Sequence, residues 1–150
     1  MTVKQINGTQ AVDIDILEEI IGYPLRRAQA FVYADYAKTV GEMGVRPAQF
    51  AALVIINSNP GLTQSALAAV MGIDRSAVVS LIDGLEEQRL AVRVPSASDR
   101  RSYSIMITVN GRESLEKLKN LVIEQDRRVS ANLTEDERKE LISLLCKLYG

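Results

Sequence analysis

Apolar side chains recur at helical spacing between Thr63 and Glu87, with one interruption at Gly72. Thr63 and Asp74 stand where the N-caps of two short helices are expected, and only about three residues separate those helices. The first helix has three apolar residues on one face: Leu67, Val70 and Met71. Two short helices with so short a connection predict a helix-turn-helix.

The second of these helices divides into two faces. Its apolar face recurs at i, i+3, i+4 and i+7 and consists of Val78, Leu81, Ile82 and Leu85. The opposite face should point to solvent and consists of Arg75, Ser76, Val79, Ser80 and Asp83. Mostly small or hydroxylated side chains let a helix approach the major groove of DNA closely. An ordinary solvated helix shows the same pattern, so this helix alone leaves both interpretations open.

The chemistry of that face favours entry of the helix into a groove with its N-terminus first. Ser76 and Ser80 can bond to phosphates or base edges, Arg75 can reach a guanine or a phosphate, and Val79 can contact a thymine methyl group. The helix N-terminus favours an anion. Acidic residues near the other end should be held away from phosphates: Asp83, Glu86 and Glu87.

A β-hairpin is predicted directly after this helix. The segments 91–95 and 103–108 alternate or carry β-branched residues, as paired strands do. The loop between them is polar and contains Asp99, Arg100 and Arg101. Two arginines at a projecting tip can enter a narrow minor groove, and Asp99 can orient Arg101 by a charge-assisted pair. Helix-turn-helix and hairpin together predict a winged helix-turn-helix.

The rest of the chain is predicted to be helical. The expected helices are a short one capped by Asp13 or Asp15, one from Pro24 to Met43 ended by Gly44, one opened by Pro47, one from Thr108 to about Ala131, and one opened by a capping box at Thr134. The Pro24 helix should bury Leu25, Ala28, Phe31, Val32, Tyr36 and Val40. The Pro47 helix is apolar almost all round and should lie at the centre of the domain.

The composition of the chain limits the kinds of binding and catalysis that we expect. The 150 residues carry a net charge of −1, so DNA binding must depend on a local patch of positive charge. The chain has no histidine and one cysteine, which argues against a metal site, and no carboxylate pair suggests catalysis. We therefore predict no enzyme activity, no metal and no cofactor, and we expect Cys146 to be a small buried apolar residue. No signal peptide or membrane span is recognised, which predicts a cytoplasmic protein.

Several short motifs resemble the MarR family of bacterial transcription regulators over nearly the whole chain. They are Pro47-Ala48-Gln49-Phe50, Gly61-Leu62-Thr63-Gln64, Asp74-Arg75-Ser76, Leu85-Glu86 and Asp99-Arg100-Arg101, followed by Thr108 and Gly111. The resemblance implies a mainly α fold with a small β-hairpin wing. It divides the chain into N-terminal helices (1–46, dimerisation and one wall of an effector pocket), a winged helix-turn-helix domain (47–109) and C-terminal dimerisation helices (110–150). Arg89 stands where the family often has glycine.

The resemblance, together with the patterns above, gives three sets of site residues. The DNA-binding set is Thr63, Gln64, Asp74, Arg75, Ser76, Val79, Ser80, Arg93, Asp99, Arg100 and Arg101. The effector-binding set is Arg26, Tyr33, Tyr36 and Phe50. The dimerisation set is Leu17, Leu118, Val122, Leu141 and Leu145. Alternatives remain for two sets: the leucines can pack within one subunit, and the tyrosines can be core residues with Arg26 simply solvated.

The expected function is that of a ligand-responsive repressor. A C2 dimer sets two recognition helices about one turn of DNA apart, which predicts a pseudo-palindromic operator. The arginine and tyrosines suggest an aromatic acid or its coenzyme A thioester as the effector. The alternative is a winged-helix module that binds another protein and no DNA.

Overall fold

The computed structural model describes residues 13–95 and 103–150. Within them the chain forms α-helices at Gly22–Lys38 (α1), Pro47–Ser58 (α2), Gln64–Met71 (α3), Arg75–Glu87 (α4), Val109–Val129 (α5) and Glu135–Tyr149 (α6). Short 3-10 helices lie at Asp15–Glu18 and Val40–Met43. The strands Ala91–Pro95 (β1) and Tyr103–Ile107 (β2) pair antiparallel, with Arg93 opposite Ile105. The predicted mainly α fold with a β-hairpin is confirmed.

The core surrounds α2, as its continuous apolar sequence predicts. Leu53 and Ile56 of α2 are fully buried, and they belong to one cluster with Leu67 of α3, Ile82 of α4 and Ile105 of β2. The amphipathic helix α5 closes this cluster with Leu115 and Leu118. The core is therefore built mainly from the predicted winged helix-turn-helix domain and the first half of α5.

The helix predicted from Pro24 to Met43 is interrupted at Thr39. There the main-chain N–H bonds to the carbonyl oxygen of Tyr36 at 3.1 Å, while the Thr39 hydroxyl donates to the carbonyl oxygen of Asp35 at 2.9 Å. A hydroxyl that takes over a helix carbonyl competes with the regular ladder, and the chain continues as a 3-10 helix. Gly44 ends that helix with φ at +74°, as predicted.

Side-chain caps define the starts of both C-terminal helices. The Thr108 hydroxyl accepts the N–H of Gly111 at 2.8 Å, and the Thr134 hydroxyl accepts the N–H of Glu137 at 3.3 Å. The Glu137 carboxylate in turn accepts the N–H of Thr134 at 2.7 Å, which completes the predicted capping box. The hydrogen bonds that the Glu137 carboxylate accepts from the Thr134 main-chain N–H and hydroxyl lower the pKa of Glu137.

Two backbone positions shape the joint between the wing and α5. Arg89 has φ at +57°, a left-handed conformation that explains why glycine suits this position. Gly111 lies so close to the Leu90 carbonyl oxygen that an added Cβ would approach it to 1.9 Å. The joint is fixed by Thr108, whose N–H bonds to the Leu90 carbonyl oxygen at 3.0 Å and whose hydroxyl donates to that of Arg89 at 2.7 Å.

Several side chains predicted to be buried are exposed, among them Leu25, Ala28, Phe31 and Val32 of α1. Val70 is 66% exposed, because the inner face of α3 is formed by Leu67, Ala68 and Met71 instead. Cys146 is also exposed, since α6 packs little against the rest of its own chain. Its Sγ atom lies 3.4 Å from the Tyr149 hydroxyl.

No single helix of the described residues is long and apolar enough to span a membrane. The pair α3 and α4 reaches the required length and composition only when it is joined across a 110° bend.

Candidate nucleic-acid interface

The helix-turn-helix has the geometry that the sequence predicted. α3 and α4 are separated by three residues, Gly72 to Asp74, and their axes meet at 110°. The Thr63 hydroxyl caps α3 by accepting the N–H of Ala66 at 3.2 Å. Gly72 ends α3 with φ at +63°, which lets the chain reverse into α4. A turn of this length and angle is the arrangement used by DNA-binding helix-turn-helix proteins.

The outward face of α4 is open to solvent at every predicted position. Arg75, Ser76, Val79 and Ser80 are all exposed, and Val79 is 44% exposed although it is apolar. The Ser80 hydroxyl donates to the Ser76 carbonyl oxygen at 3.3 Å, a weak bond that leaves its lone pairs available. Apart from Arg75, the side chains on this face are small, so the helix can approach a groove closely.

Asp74 occupies the N-cap position of α4, but its carboxylate makes no capping hydrogen bond. The predicted N-cap position of Asp74 is confirmed. Because this carboxylate does not cap α4, the first-turn N–H groups remain available to an anion at the positive end of the helix dipole.

The acidic residues at the other end of α4 are paired with Arg93 of β1. Its guanidinium lies 2.8 Å from Asp83 Oδ1, contacts the Glu86 carboxylate and donates to the Val79 carbonyl oxygen at 3.2 Å. Its main-chain N–H donates to Glu86 Oε1 at 2.8 Å. Arg93 was predicted to contact DNA, and that contact stays a prediction; the contacts present within the subunit are to α4.

The wing is attached to the helix-turn-helix at its base. The N–H of Ile105 bonds to the carbonyl oxygen of Leu62 at 2.8 Å, and Thr63 forms an isolated antiparallel bridge with Ser104. The two residues directly before α3, Leu62 and Thr63, therefore pair with strand β2 as a short third segment beside the hairpin. The predicted tip residues Asp99, Arg100 and Arg101 lie outside the described residues.

The remaining members of the DNA-binding set are Thr63 and Gln64, and both are half-buried within the subunit. The Thr63 hydroxyl is used as the cap of α3, and Gln64 Nε2 is buried without a hydrogen-bond partner among the described residues. Their contacts with DNA stay predictions.

A separate cavity of about 300 Å³ lies between the end of α1 and the start of α2. Tyr33 and Tyr36 line it, as do Ala37, Gly41, Gly44, Val45, Arg46 and Pro47. Tyr36 is only 6% exposed, and its hydroxyl has no partner among the described residues. Burial, with a contribution from Tyr33, raises the pKa of Tyr36 to about 12, so the hydroxyl stays protonated at neutral pH.

The structure separates the four predicted effector residues. Tyr33 and Tyr36 share this cavity, whereas exposed Arg26 does not line it and Phe50 packs against the core. The arginine at the cavity is Arg46, which was not among the predicted effector residues. The sequence feature that could have indicated Arg46 is its position directly before Pro47, the first residue of α2, where the chain passes from the 3-10 helix into the domain.

No group of three or more histidine, cysteine or acidic side chains in the described residues is placed to hold a metal ion.

Comparison with known proteins gives the family. A sequence model of the MarR family matches residues 43–102. A putative transcriptional regulatory protein for the hcr operon of Thauera aromatica is 42% identical over 130 residues, which cover 86% of this chain and 78% of that protein. The chain belongs to the MarR family. It is thus a transcriptional regulator and not an enzyme.

Solved structures of a MarR-type repressor are similar along almost the whole chain. The repressor CouR bound to a 23-mer DNA duplex is 37% identical with a TM-score of 0.88, over 94% of this chain and all of that one. CouR bound to p-coumaroyl-CoA is 34% identical with a TM-score of 0.84, over 91% of this chain and 96% of that one. The similarity therefore extends beyond the helix-turn-helix and hairpin into the helices on either side.

The terminal helices of this MarR-family chain leave a broad apolar surface. Phe31 of α1 is 61% exposed, and α6 contains no buried residue. Of the predicted dimerisation residues, Leu141 is exposed and three others are half-buried: Leu17, Val122 and Leu145. Leu118 is fully buried in the core of its own subunit, and its part in dimerisation stays a prediction.

Proposed function

We propose that this chain is a repressor that binds operator DNA as a homodimer in the cytoplasm and releases it when a small aromatic ligand binds. The observation that carries this proposal is the exposed, lightly substituted face of α4 behind a three-residue turn. It lies on a fold that matches CouR, whose structure was solved with a DNA duplex.

The N-terminal half of α4 is the part that enters the major groove. Ser76 and Ser80 supply hydroxyl groups, Arg75 supplies the cation, and Val79 supplies an apolar contact for a thymine methyl group. The uncapped first turn of α4 favours a phosphate at that end. Arg100 and Arg101 are assigned to the adjacent minor groove from the sequence.

A second copy of the chain is the proposed partner of the terminal helices. The surface formed by α1 and α6 exposes Phe31, Leu141, Leu144 and Leu148, far more apolar area than an isolated subunit would leave to water. A C2 arrangement places two α4 helices on one side of the duplex and predicts a pseudo-palindromic operator.

The effector is proposed to be an aromatic acid or its coenzyme A thioester, and the cavity beside Tyr36 to be where its aromatic part binds. A volume of about 300 Å³ accommodates an aromatic acyl group but not a coenzyme A, which would extend outside. The protonated Tyr36 hydroxyl supplies a donor for a carbonyl or carboxylate oxygen, and Arg46 supplies a positive charge. CouR was solved with p-coumaroyl-CoA, a ligand of this class.

DNA binding is tested by footprinting the DNA that flanks the chain's own gene, followed by fluorescence anisotropy on the protected duplex at several salt concentrations. We expect log affinity to fall steeply with log salt, and Arg101→Ala to reduce the slope by about 1.8 if the arginine of each subunit contacts one phosphate, because the dimer loses two contacts. Lys139→Ala removes a charge from α6 and serves as the control. An affinity that is independent of salt and of DNA sequence would support the protein-interaction alternative.

Ligand release is tested on the same complex with benzoate, p-coumarate and their coenzyme A thioesters. An effective ligand should lower DNA affinity and raise the melting temperature of the free protein, because it favours the conformation that fits the operator poorly. Tyr36→Phe should retain DNA affinity and need a higher ligand concentration. If no compound in the panel changes either quantity, the proposed ligand class is wrong.

A further inference from the structure

Arg93 joins the wing to the recognition helix through contacts from both its side chain and its main chain. Its guanidinium contacts Asp83, Glu86 and the Val79 carbonyl oxygen, and its main-chain N–H donates to Glu86. Those three residues of α4 are spaced i, i+4 and i+7, so the contacts follow one stripe over two helical turns. Among the described residues, no other ion pair connects β1 or β2 with α4.

The geometry of these contacts depends on arginine. A planar guanidinium presents several N–H groups in a fixed fork and can serve two carboxylates and a carbonyl group at once, whereas lysine presents a single compact charge. The Arg93 side chain is only 19% exposed, so it is held between the two elements. The strand that carries it leads directly to the wing tip.

The charges on α4 also indicate that Arg93 acts within the subunit. Asp83 and Glu86 would repel the phosphate backbone if they were unpaired, because they lie on the helix that approaches DNA. Arg93 neutralises much of that repulsion within the subunit. A guanidinium held in this way is not free to reach a phosphate.

We infer that Arg93 is a positioning residue: it fixes the angle between the hairpin strands and α4 without contacting DNA itself. This inference rests on the proposed DNA-binding function, and it replaces the phosphate contact expected from the sequence.

The first test compares Arg93→Lys and Arg93→Met with wild type on the footprinted operator duplex. A phosphate contact would survive in the lysine variant, and its loss from both subunits of the methionine variant would reduce the salt slope by about 1.8. A positioning role predicts a fall in affinity of about tenfold or more in both variants, with no slope reduction of that size in either. Thermal melts of each variant establish that it is folded.

The second test uses two neighbouring acids and does not alter Arg93. Glu86→Gln and Glu87→Gln each remove one negative charge from α4, but only Glu86 contacts Arg93 in the structure. Electrostatics alone would raise DNA affinity in both variants. If Arg93 positions the wing, Glu86→Gln lowers affinity at least threefold while Glu87→Gln leaves it unchanged or raised. Equal increases in both variants would overturn the inference.

The third test measures coupling to the wing tip. The effect of Arg101→Ala on affinity should be smaller in the Arg93→Met protein than in wild type, because a displaced tip has less contact to lose. An undiminished effect would contradict positioning. If wild type itself showed no salt-dependent DNA binding, the proposed function would fail; if wild type bound DNA and the Arg93 variants behaved like it, only this inference would fail.

Discussion

The helix-turn-helix domain and the terminal helices have similar apolar stripes but bury them very differently. In the domain, Leu53, Ile82 and Ile105 are fully buried by residues of the same chain. In α6, Leu144 is 51% exposed, and no residue of that helix is buried. An amphipathic pattern therefore shows that a face requires a partner, but it does not show whether the partner belongs to the same subunit.

The two halves of α5 show the boundary between these regions. Its first half contributes Leu115 and Leu118 to the domain core, whereas Ile123, in the second half, is exposed. Near its end, Gln125 is buried and donates to the Val32 carbonyl oxygen of α1 at 3.2 Å. One helix thus belongs to the domain core at one end and to the proposed subunit interface at the other.

The largest expected effect comes from Leu118→Ala. Removing a fully buried leucine side chain should lower the free energy of unfolding by about 2 to 5 kcal/mol, through lost burial and the cavity that remains. Urea denaturation at a fixed protein concentration measures this change. The dimer dissociation constant, measured by analytical ultracentrifugation, should stay within about threefold of wild type. If the variant raised the dimer dissociation constant and left the free energy of unfolding unchanged, Leu118 would belong to the subunit interface.

The next expected effect comes from Leu144→Glu, on the exposed face of α6. Two carboxylates placed in an apolar interface should raise the dimer dissociation constant by about 100-fold or more, or roughly 3 kcal/mol per dimer. The helix content should be retained. Ultracentrifugation over a concentration series measures the change.

The matched control for that variant is Ser143→Glu. It adds the same charge on a residue that lies about 150° around α6 from the centre of the stripe formed by Leu141, Leu144, Leu145 and Leu148. Dimerisation should be nearly unchanged in this variant. Equal dissociation in both variants would mean that added charge, and not the apolar face, controls association.

The smallest expected effect lies within the well-packed domain. Arg89→Gly should raise the free energy of unfolding by about 0.5 to 1 kcal/mol, because glycine adopts the left-handed conformation at φ +57° without steric cost. Thermal unfolding should show this as an increase of a few degrees at most. Glu87→Gly, in the regular helix, should instead lower stability. A loss of stability in Arg89→Gly would show that its side chain contributes more than its backbone costs.

Features that depend on local chemistry were predictable from the sequence. Thr63, Thr108 and Thr134 cap helices where expected, and Gly44 and Gly72 end helices with positive φ. Each of these features is decided within about four residues of chain, so the residue types are sufficient to indicate it.

Features that depend on tertiary direction were not predictable. The sequence does not reveal that Arg93 would meet two acids on α4, because those residues are seven and ten positions away in another element. Nor does it distinguish Leu118, which faces the core, from Leu144, which faces outward, since both lie on amphipathic helices. The break at Thr39 arises where a hydroxyl competes for a helix carbonyl, a competition that helical periodicity does not register.

The hydrogen bonds of Thr108 hold one end of α5 in place, so that a tilt of the helix moves its two ends relative to each other. They fix its first turn to residues 89 and 90, directly after the recognition helix, while its far end reaches α1 through Gln125. A helix of 21 residues is roughly 30 Å long, so a tilt of about 5° moves one end by about 3 Å relative to the other. That displacement exceeds the range over which a hydrogen bond to a base edge survives. Small rearrangements among the terminal helices would therefore be amplified into loss of register on the operator.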